Sequence, residues 1–308
     1  MACSSNASLV SHTPDPEDME ADQKYGWGRF KPSCLQRLHG AKFLLVCISF
    51  CGVTQGMLIN GLIPVSLSSL ERRFSLGSFQ SGLLVSAYDV AVLLCLVPCT
   101  HFGGSGHKGR WLGIGMLIMA LGSFVFVLPQ VLSGPYSGYK ANDTSHALCG
   151  ADVDASVANT SFESNALYYA LLLIGNFLHG VGATPLFTLG VTFLDESVTH
   201  EMSPLYLGIF MGSALFGPVL GFGGGGALLR ANGDWLKQDP PANISPDDPQ
   251  WYGAWWLGFL LGGLMALVSG VLMLGFARRL PDAPEQKVEV TTHMKIATSK
   301  EQFVTGVK

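Results

Sequence analysis

Six apolar stretches, each long enough for a helix to cross a hydrocarbon layer that takes about 20 residues, constrain this chain more than any other feature. They run from Phe43 to Leu67, Phe79 to Pro98, Trp111 to Leu132, Ala166 to Leu194, Leu205 to Leu229 and Gly253 to Phe276. In lipid every backbone N–H and C=O must be satisfied inside the protein, and segments of this length achieve that as helices. The expected fold is an all-α, multi-pass membrane protein with the lipid bilayer as its first partner. Composition agrees, because charged residues are 13% of the chain against roughly 25% in soluble domains. A net charge of −4 leaves no basic footprint, which excludes nucleic acid as a partner.

Charge placement predicts the orientation. With the N-terminus in the cytosol, 13 of the 18 Lys and Arg residues fall on the cytosolic side, as the positive-inside rule requires. The chain then divides into a cytosolic, disordered tail (1–42), a six-span bundle (43–276) and a cytosolic linker or tail (277–308), with outside loops at 68–78, 133–165 and 230–252. Five acids between Asp15 and Asp22 make the first segment unlike a secretory signal. Three glycosylation sequons, at Asn142, Asn159 and Asn243, fall in loops assigned to the outside, whereas Asn6 falls in the cytosolic tail. Cys47/Cys51 and Cys95/Cys99 are spaced four apart inside spans and read as small apolar packing residues. Cys149 alone lies in an outside loop.

Polar residues inside the spans are the candidates for function. Asp89 lies near the middle of the second span, where an uncompensated acid costs about 2.5–3.5 kcal/mol, so it needs a cavity or a partner. In the fourth span Asn176, His179, Gly180, Ala183, Thr184, Thr188 and Thr192 recur at steps of one, three and four, which places them along one winding helix face. That face is expected to look inward. Gln55 and Asn60 in the first span add uncharged donors and acceptors. Pro185 and Pro218 lie inside spans and are expected to allow kinks, while Gly208, Gly212, Gly217 and Gly221 form a small-residue face on the fifth. No His/Cys/Asp set has metal-ligand spacing, and neither a Gly-x-Ser-x-Gly nor a phosphate-binding loop is present. No cofactor, metal or enzymic activity is expected.

The run Asp248-Pro249-Gln250-Trp251-Tyr252-Gly253-Ala254-Trp255-Trp256-Leu257-Gly258-Phe259-Leu260 closely resembles the signature of the organic anion transporting polypeptide family, D-x-R-W-(I/V)-G-A-W-W-x-G-F-L. Its marker residues here are Asp248, Trp251, Gly253, Ala254, Trp255, Trp256 and Gly258, and Gln250 and Tyr252 replace the usual Arg and Ile/Val. Leu70 to Phe74, Tyr88-Asp89 and His107 to Trp111 are similar to other segments of the family. Leu178 to Leu186 is similar to its fourth span, above all in the fourth branch. Gln130 stands where many members carry a His linked to pH dependence. The resemblance covers about residues 34 to 281.

The resemblance implies a major facilitator fold of twelve spans in two six-helix halves, of which this chain matches the N-terminal half. It implies sodium-independent transport of amphipathic organic anions (steroid conjugates, bile salts, prostaglandins, thyroid hormones) by alternating access at the plasma membrane. Within it, Gln55, Asp89, Asn176, His179 and Thr184 are substrate-pathway or gate candidates, and Arg72 and Arg73 are candidates for attracting anions to the outer mouth. Trp251, Trp255 and Trp256 are expected to anchor the sixth span and line the entrance. The chain is expected to be a truncated isoform or partial product that needs a second half or a full-length transporter as partner. The alternative function is a non-transporting form that binds or regulates a full-length relative.

Overall fold

The computed structural model describes residues 25–27, 36, 40–134, 155–237, 251–278 and 280–281, with the backbone alone for 105 and 155–165. Six long helices result: α1 (Ala41–Phe74), α2 (Ser78–Ser105), α3 (Lys108–Leu132), α4 (Ala155–Pro185, continuing to Glu196), α5 (Ser203–Leu228) and α6 (Trp255–Leu274). Each is long and apolar enough to span a membrane. Among the described residues no strand forms, and an isolated bridge pairs Asn232 with Gly253.

Three boundaries differ from the sequence expectation, the plainest being α2, which runs past Pro98 to Ser105. α1 continues past Leu67 to Phe74 because Ser66, Ser69, Leu70 and Phe74 recur at helical spacing on a buried face. The loop expected over 68–78 therefore shrinks to Ser75–Gly77, where Ser75 turns left-handed (φ 52°) and ends the helix. α4 begins at Ala155, so part of the expected 133–165 loop is helix. Both α1 and α4 contain a widened π turn, over Met57–Leu62 and Leu186–Gly190. Pro64 follows the first and Pro185 precedes the second, and each lacks the N–H that would close an ordinary turn. Pro218, expected to act likewise, lies inside an uninterrupted α5.

The helices pack in the order α5, α1, α6, α3, α4, α2. Glycines bring neighbours to backbone contact: a Cβ on Gly61 of α1 would lie 2.5 Å from the Gly221 Cα of α5, and one on Gly182 of α4 would lie 2.5 Å from the Gly115 carbonyl of α3. The glycine face expected on α5 is in fact two faces. Gly217, Gly221 and Gly225 close on α1, whereas Gly208, Gly212, Gly223, Gly224 and Gly226 meet nothing. The two helices at the ends of the order are the least covered, with 22% of the most apolar window buried in α2 and 17% in α5, against 44–56% in the others.

Candidate functional site

We call the end where the chain enters α1 and leaves α6 the entry end, and the opposite one the far end. Asp89 is exposed on α2, on a stripe with Gly82, Ser86, Leu93 and Thr100, none of which is covered. A mid-span carboxylate is thus held open on one of the two uncovered helices. Gln55 behaves differently: it is buried in α1, and its Nε2 donates to the Tyr88 hydroxyl of α2 at 3.1 Å. Phe187 and Phe210 lie 5.9 Å apart between α4 and α5, so an amide contact links α1 to α2 and an aromatic one links α4 to α5. Asn60 lies exposed in the π turn of α1.

Of the α4 residues expected on an inward face, Asn176, His179, Gly180, Ala183 and Thr184 are buried in the bundle, Thr188 is half-buried and Thr192 is exposed. Asn176 is 0% exposed and its Nδ2 donates to the Leu84 carbonyl of α2 at 2.7 Å. His179 is 0% exposed, with Nε2 2.9 Å from the Ser123 hydroxyl of α3 and its ring stacked on Phe259 of α6. Ser123 also donates to the Met119 carbonyl at 3.2 Å, which favours the tautomer in which His179 Nε2–H donates to the Ser123 oxygen. His179 Nδ1 and Asn176 Oδ1 are left without hydrogen-bond partners. Thr184, Thr188 and Thr192 each return their hydroxyl proton to the carbonyl four residues earlier, which lets a hydroxyl sit in an apolar span at little cost.

At the far end the signature run forms a keystone. Trp251 Nε1 donates to Leu229 O at 2.9 Å, and Trp256 Nε1 donates to Gly233 O at 3.0 Å. The Gly253 and Ala254 N–H groups donate to Ser69 Oγ (3.4 Å) and Ala231 O (2.9 Å). Gly253 has no room for a side chain, since a Cβ would lie 2.4 Å from Leu229 O. Gly258 has little more, with Leu62 at 2.8 Å. Trp255 is buried among Phe74, Phe126 and Phe259. Trp255 and Trp256 are thus buried at the start of α6 and point into the bundle.

Arg72 and Arg73 also hold structure. Arg72 Nη1 donates to Trp251 O at 2.7 Å. Arg73 donates to Ser133 Oγ at 2.8 Å and to Gly134 O, and its guanidinium lies 5.6 Å from the Tyr252 ring centre. Lys237 Nζ donates to Gln130 O and Ser133 O, so two cations sit at the C-terminal end of α3, where its dipole favours them. Gln130 Nε2 reaches Gly233 O (3.1 Å) and Asp234 Oδ1 (3.0 Å). Burial, then the Asp234 side chain, push the Tyr252 hydroxyl up, while Gln130 and Arg73 oppose them. Burial lowers Lys237 despite Asp234 beside it. This cap was missed in the sequence because its members, from α1, α3 and residues 229–256, are separated by tens of residues.

At the entry end Lys108 is buried and paired with Glu196, and Ser203 donates to Asp195. These tie the α2–α3 turn and the end of α4 to the start of α5. Asn142, Asn243 and Asp248 lie outside the described residues, and Asn159 falls on the helical backbone of α4.

Six helices long and apolar enough to cross a membrane, packed backbone to backbone around an apolar core with buried polar side chains, define a polytopic helical bundle. Residues 43–305 match the Organic Anion Transporter Polypeptide (OATP) family, and the chain belongs to that family, whose members are membrane transporters of the major facilitator type. It is 41% identical to solute carrier organic anion transporter family member 4A1 of Mus musculus over 256 residues, covering 83% of this chain and 35% of the relative. It is 36% identical to member 4C1 of Homo sapiens over 287 residues (92% of this chain, 39% of the relative). With member 2B1 of Mus musculus the identity is 33% over 278 residues (85% and 40%). The matched region thus spans between a third and two-fifths of each relative's length.

Proposed function

We propose that this chain supplies a six-helix wall of a sodium-independent organic anion transporter of the plasma membrane, with both termini in the cytosol. The entry end is then cytosolic and the far end extracellular. Amphipathic anions such as steroid conjugates, bile salts, prostaglandins and thyroid hormones are its substrates, moved by alternating access around a site between two bundles. The observation that carries this reading is the uncovered pair α2 and α5, with the mid-span Asp89 on one and an open glycine stripe on the other. A lone bundle would leave that carboxylate facing lipid.

Under this reading Asp89 contacts the second bundle or the substrate path directly. Gln55, Asn176 and His179 shape the path by fixing α1, α2, α3 and α4 relative to one another, and Thr184 contributes from within α4, its hydroxyl held by the Gly180 carbonyl. Arg72 and Arg73 set the outer mouth by position, with Arg72 still exposed, and Asn142, Asn159 and Asn243 are glycosylated. The test is uptake of a labelled steroid conjugate into sodium-free liposomes holding this chain alone or with the remaining spans of a relative. Weak uptake alone and saturable uptake when paired is expected. Robust, saturable uptake by the chain alone overturns the half-transporter reading.

A second reading is a non-transporting form that occupies the same surface of a full-length relative. The open stripe of Gly208, Gly212, Gly223 and Gly226 favours it, because small residues let a foreign helix approach closely. Co-expression that lowers the relative's uptake, with no uptake in any pairing, selects this reading.

A further inference from the structure

A three-residue segment from before α1 caps the end of α6. Tyr25 is 0% exposed, and its hydroxyl donates to the Leu272 carbonyl at 2.7 Å. Trp27 Nε1 donates to Val271 O at 2.8 Å, and the Gly26 N–H donates to Gly275 O at 2.9 Å. The C-terminal carbonyls of a helix need donors from outside its own ladder, and here they come from the other end of the bundle's sequence. The Tyr25 ring meets Trp27, Phe43 and Phe276 edge-on, with centres 5.1–5.9 Å apart. It lies so close to Gly275 that a Cβ there would be 2.6 Å from its Cζ. Burial, with a smaller effect from Cys47, pushes the hydroxyl up to about 12.

We propose that Tyr25 is a phosphorylation site and that its modification releases this strap from α6. In the reaction the phenolic oxygen attacks the γ-phosphorus of a nucleoside triphosphate. The new O–P bond forms as the bond to the β–γ bridging oxygen breaks, the nucleoside diphosphate leaves, and the phenolic proton passes to the kinase's base. The product cannot return to its pocket. It has lost the proton that Leu272 accepts, it carries about −1.5 to −2 charges at the negative end of the α6 dipole, and the ring is already closed in by Gly275. Docked and phosphorylated states are therefore mutually exclusive. Short segments outside the spans open at low free-energy cost, which gives a kinase its access. Tyr25 is the sole tyrosine before α1, and Glu17, Asp18, Glu20 and Asp22 precede it, a charge pattern complementary to a basic substrate groove. The proposal rests on the cytosolic assignment of the entry end.

The experiment uses the full chain in nanodiscs, a broad-specificity tyrosine kinase with ATP, and mass-spectrometric amide exchange. Phosphorylated protein is expected to exchange the Gly26 amide at least about tenfold faster, as loss of its docked hydrogen bond to Gly275 O requires, with protection of α3 and α4 unchanged. Gly275→Ala, which crowds the docked ring, is expected to raise the labelling rate of Tyr25 by a similar factor. Tyr25→Phe keeps the rings, removes the acceptor site and is expected to stay docked after kinase treatment. Unchanged exchange in the phosphorylated chain overturns the release. Failure to label Tyr25 even in Gly275→Ala overturns the modification. Kinase added to sealed vesicles of each orientation separates these from topology: labelling from the extracellular face alone refutes the cytosolic assignment and leaves the strap intact.

Discussion

The two glycine faces of α5 make opposite predictions for one substitution in one helix. A Cβ at Gly221 would lie 2.6 Å from both Gly61 Cα and Met57 O, and one at Gly217 would lie 2.5 Å from Val53 O. Nonbonded heavy atoms need about 3.5–4.0 Å, so α1 and α5 must part by about 1 Å, and a gap of that size forfeits a quarter to a half of each contact's dispersion energy. Overpacking of this kind costs about 1–3 kcal/mol. The better helix propensity of Ala over Gly offsets up to about 1 kcal/mol of it. Gly217→Ala and Gly221→Ala are therefore each expected to lower stability by about 1–2 kcal/mol. At Gly223 and Gly224 an added Cβ meets nothing within 4 Å, so Gly223→Ala and Gly224→Ala are expected to be neutral or stabilising by up to about 1 kcal/mol. Reversible unfolding of the bicelle-reconstituted chain by SDS, followed by far-UV circular dichroism, measures both sets. Equal losses at Gly221 and Gly223 would refute the two-face packing.

Four further outcomes follow from named contacts. Lys108→Ala is expected to cost about 1–2 kcal/mol, discounted because Glu196 is partly solvated, and a double-mutant cycle with Glu196→Gln should give a coupling near 1 kcal/mol; zero coupling removes the latch. Gln130→Leu strips two hydrogen bonds from the 229–237 segment, so it should destabilise by about 1–3 kcal/mol and speed tryptic cleavage after Lys237. Ser123→Ala leaves the buried His179 Nε2–H unpaired and should cost about 1–3 kcal/mol in the same SDS titration, whereas the pair Ser123→Ala with His179→Phe should recover most of it; additive losses contradict the pairing. Tyr25 has its hydroxyl raised from 10.0 to about 12, so the folded state holds the proton more tightly and the strap's contribution is complete below pH 10 and lost between 10 and 12. Amide exchange at Gly26, corrected for its intrinsic pH dependence, reads this, and Tyr25→Phe should abolish the transition.

What was legible in the sequence was whatever repeats along one dimension. A span needs only length and apolarity, and all six were located to within a few residues at most ends. The exceptions mark where that logic stops: Ser66 to Phe74 is helical through an amphipathic pattern that hydropathy alone reads as a loop. The shared face of Asn176 and His179 was also visible, but not what it faces. Gly175, Gly180 and Gly182 lie on the same helix, and each has a neighbouring backbone within 3 Å of an added Cβ. A polar side chain set among such glycines lies where two backbones nearly touch, so it bonds to the neighbouring helix. Asp89 has no such flank, since Gly82 on its stripe is open, and it is exposed, as Asn60 and Thr192 also are. Glycine contact thus separates a structural polar residue from an available one, and it cannot be computed from a single helix.

The far-end cap carries the same lesson for motifs. Read along the chain, Gln130 in α3 and Tyr252 in the signature are two unrelated departures from the family pattern. In the structure both meet Asp234: Gln130 donates to its carboxylate at 3.0 Å, and the Tyr252 hydroxyl is raised by it. An aliphatic residue at 252 would give that carboxylate no donor, and a histidine at 130 could bring a charge that varies near neutral pH. The amide and the phenol both keep a fixed charge state there, with Arg73 and Lys237 as the neighbouring cations. The two departures are one change in how the 229–237 segment is held over α3. Replacing both, Gln130→His with Tyr252→Val, should therefore make tryptic cleavage after Lys237, divided at each pH by the cleavage of an unstructured reference peptide, vary with pH between 5 and 8, where the unsubstituted cap gives a constant ratio. Cleavage that stays constant in both proteins would show that the acid at 234 does not govern the cap.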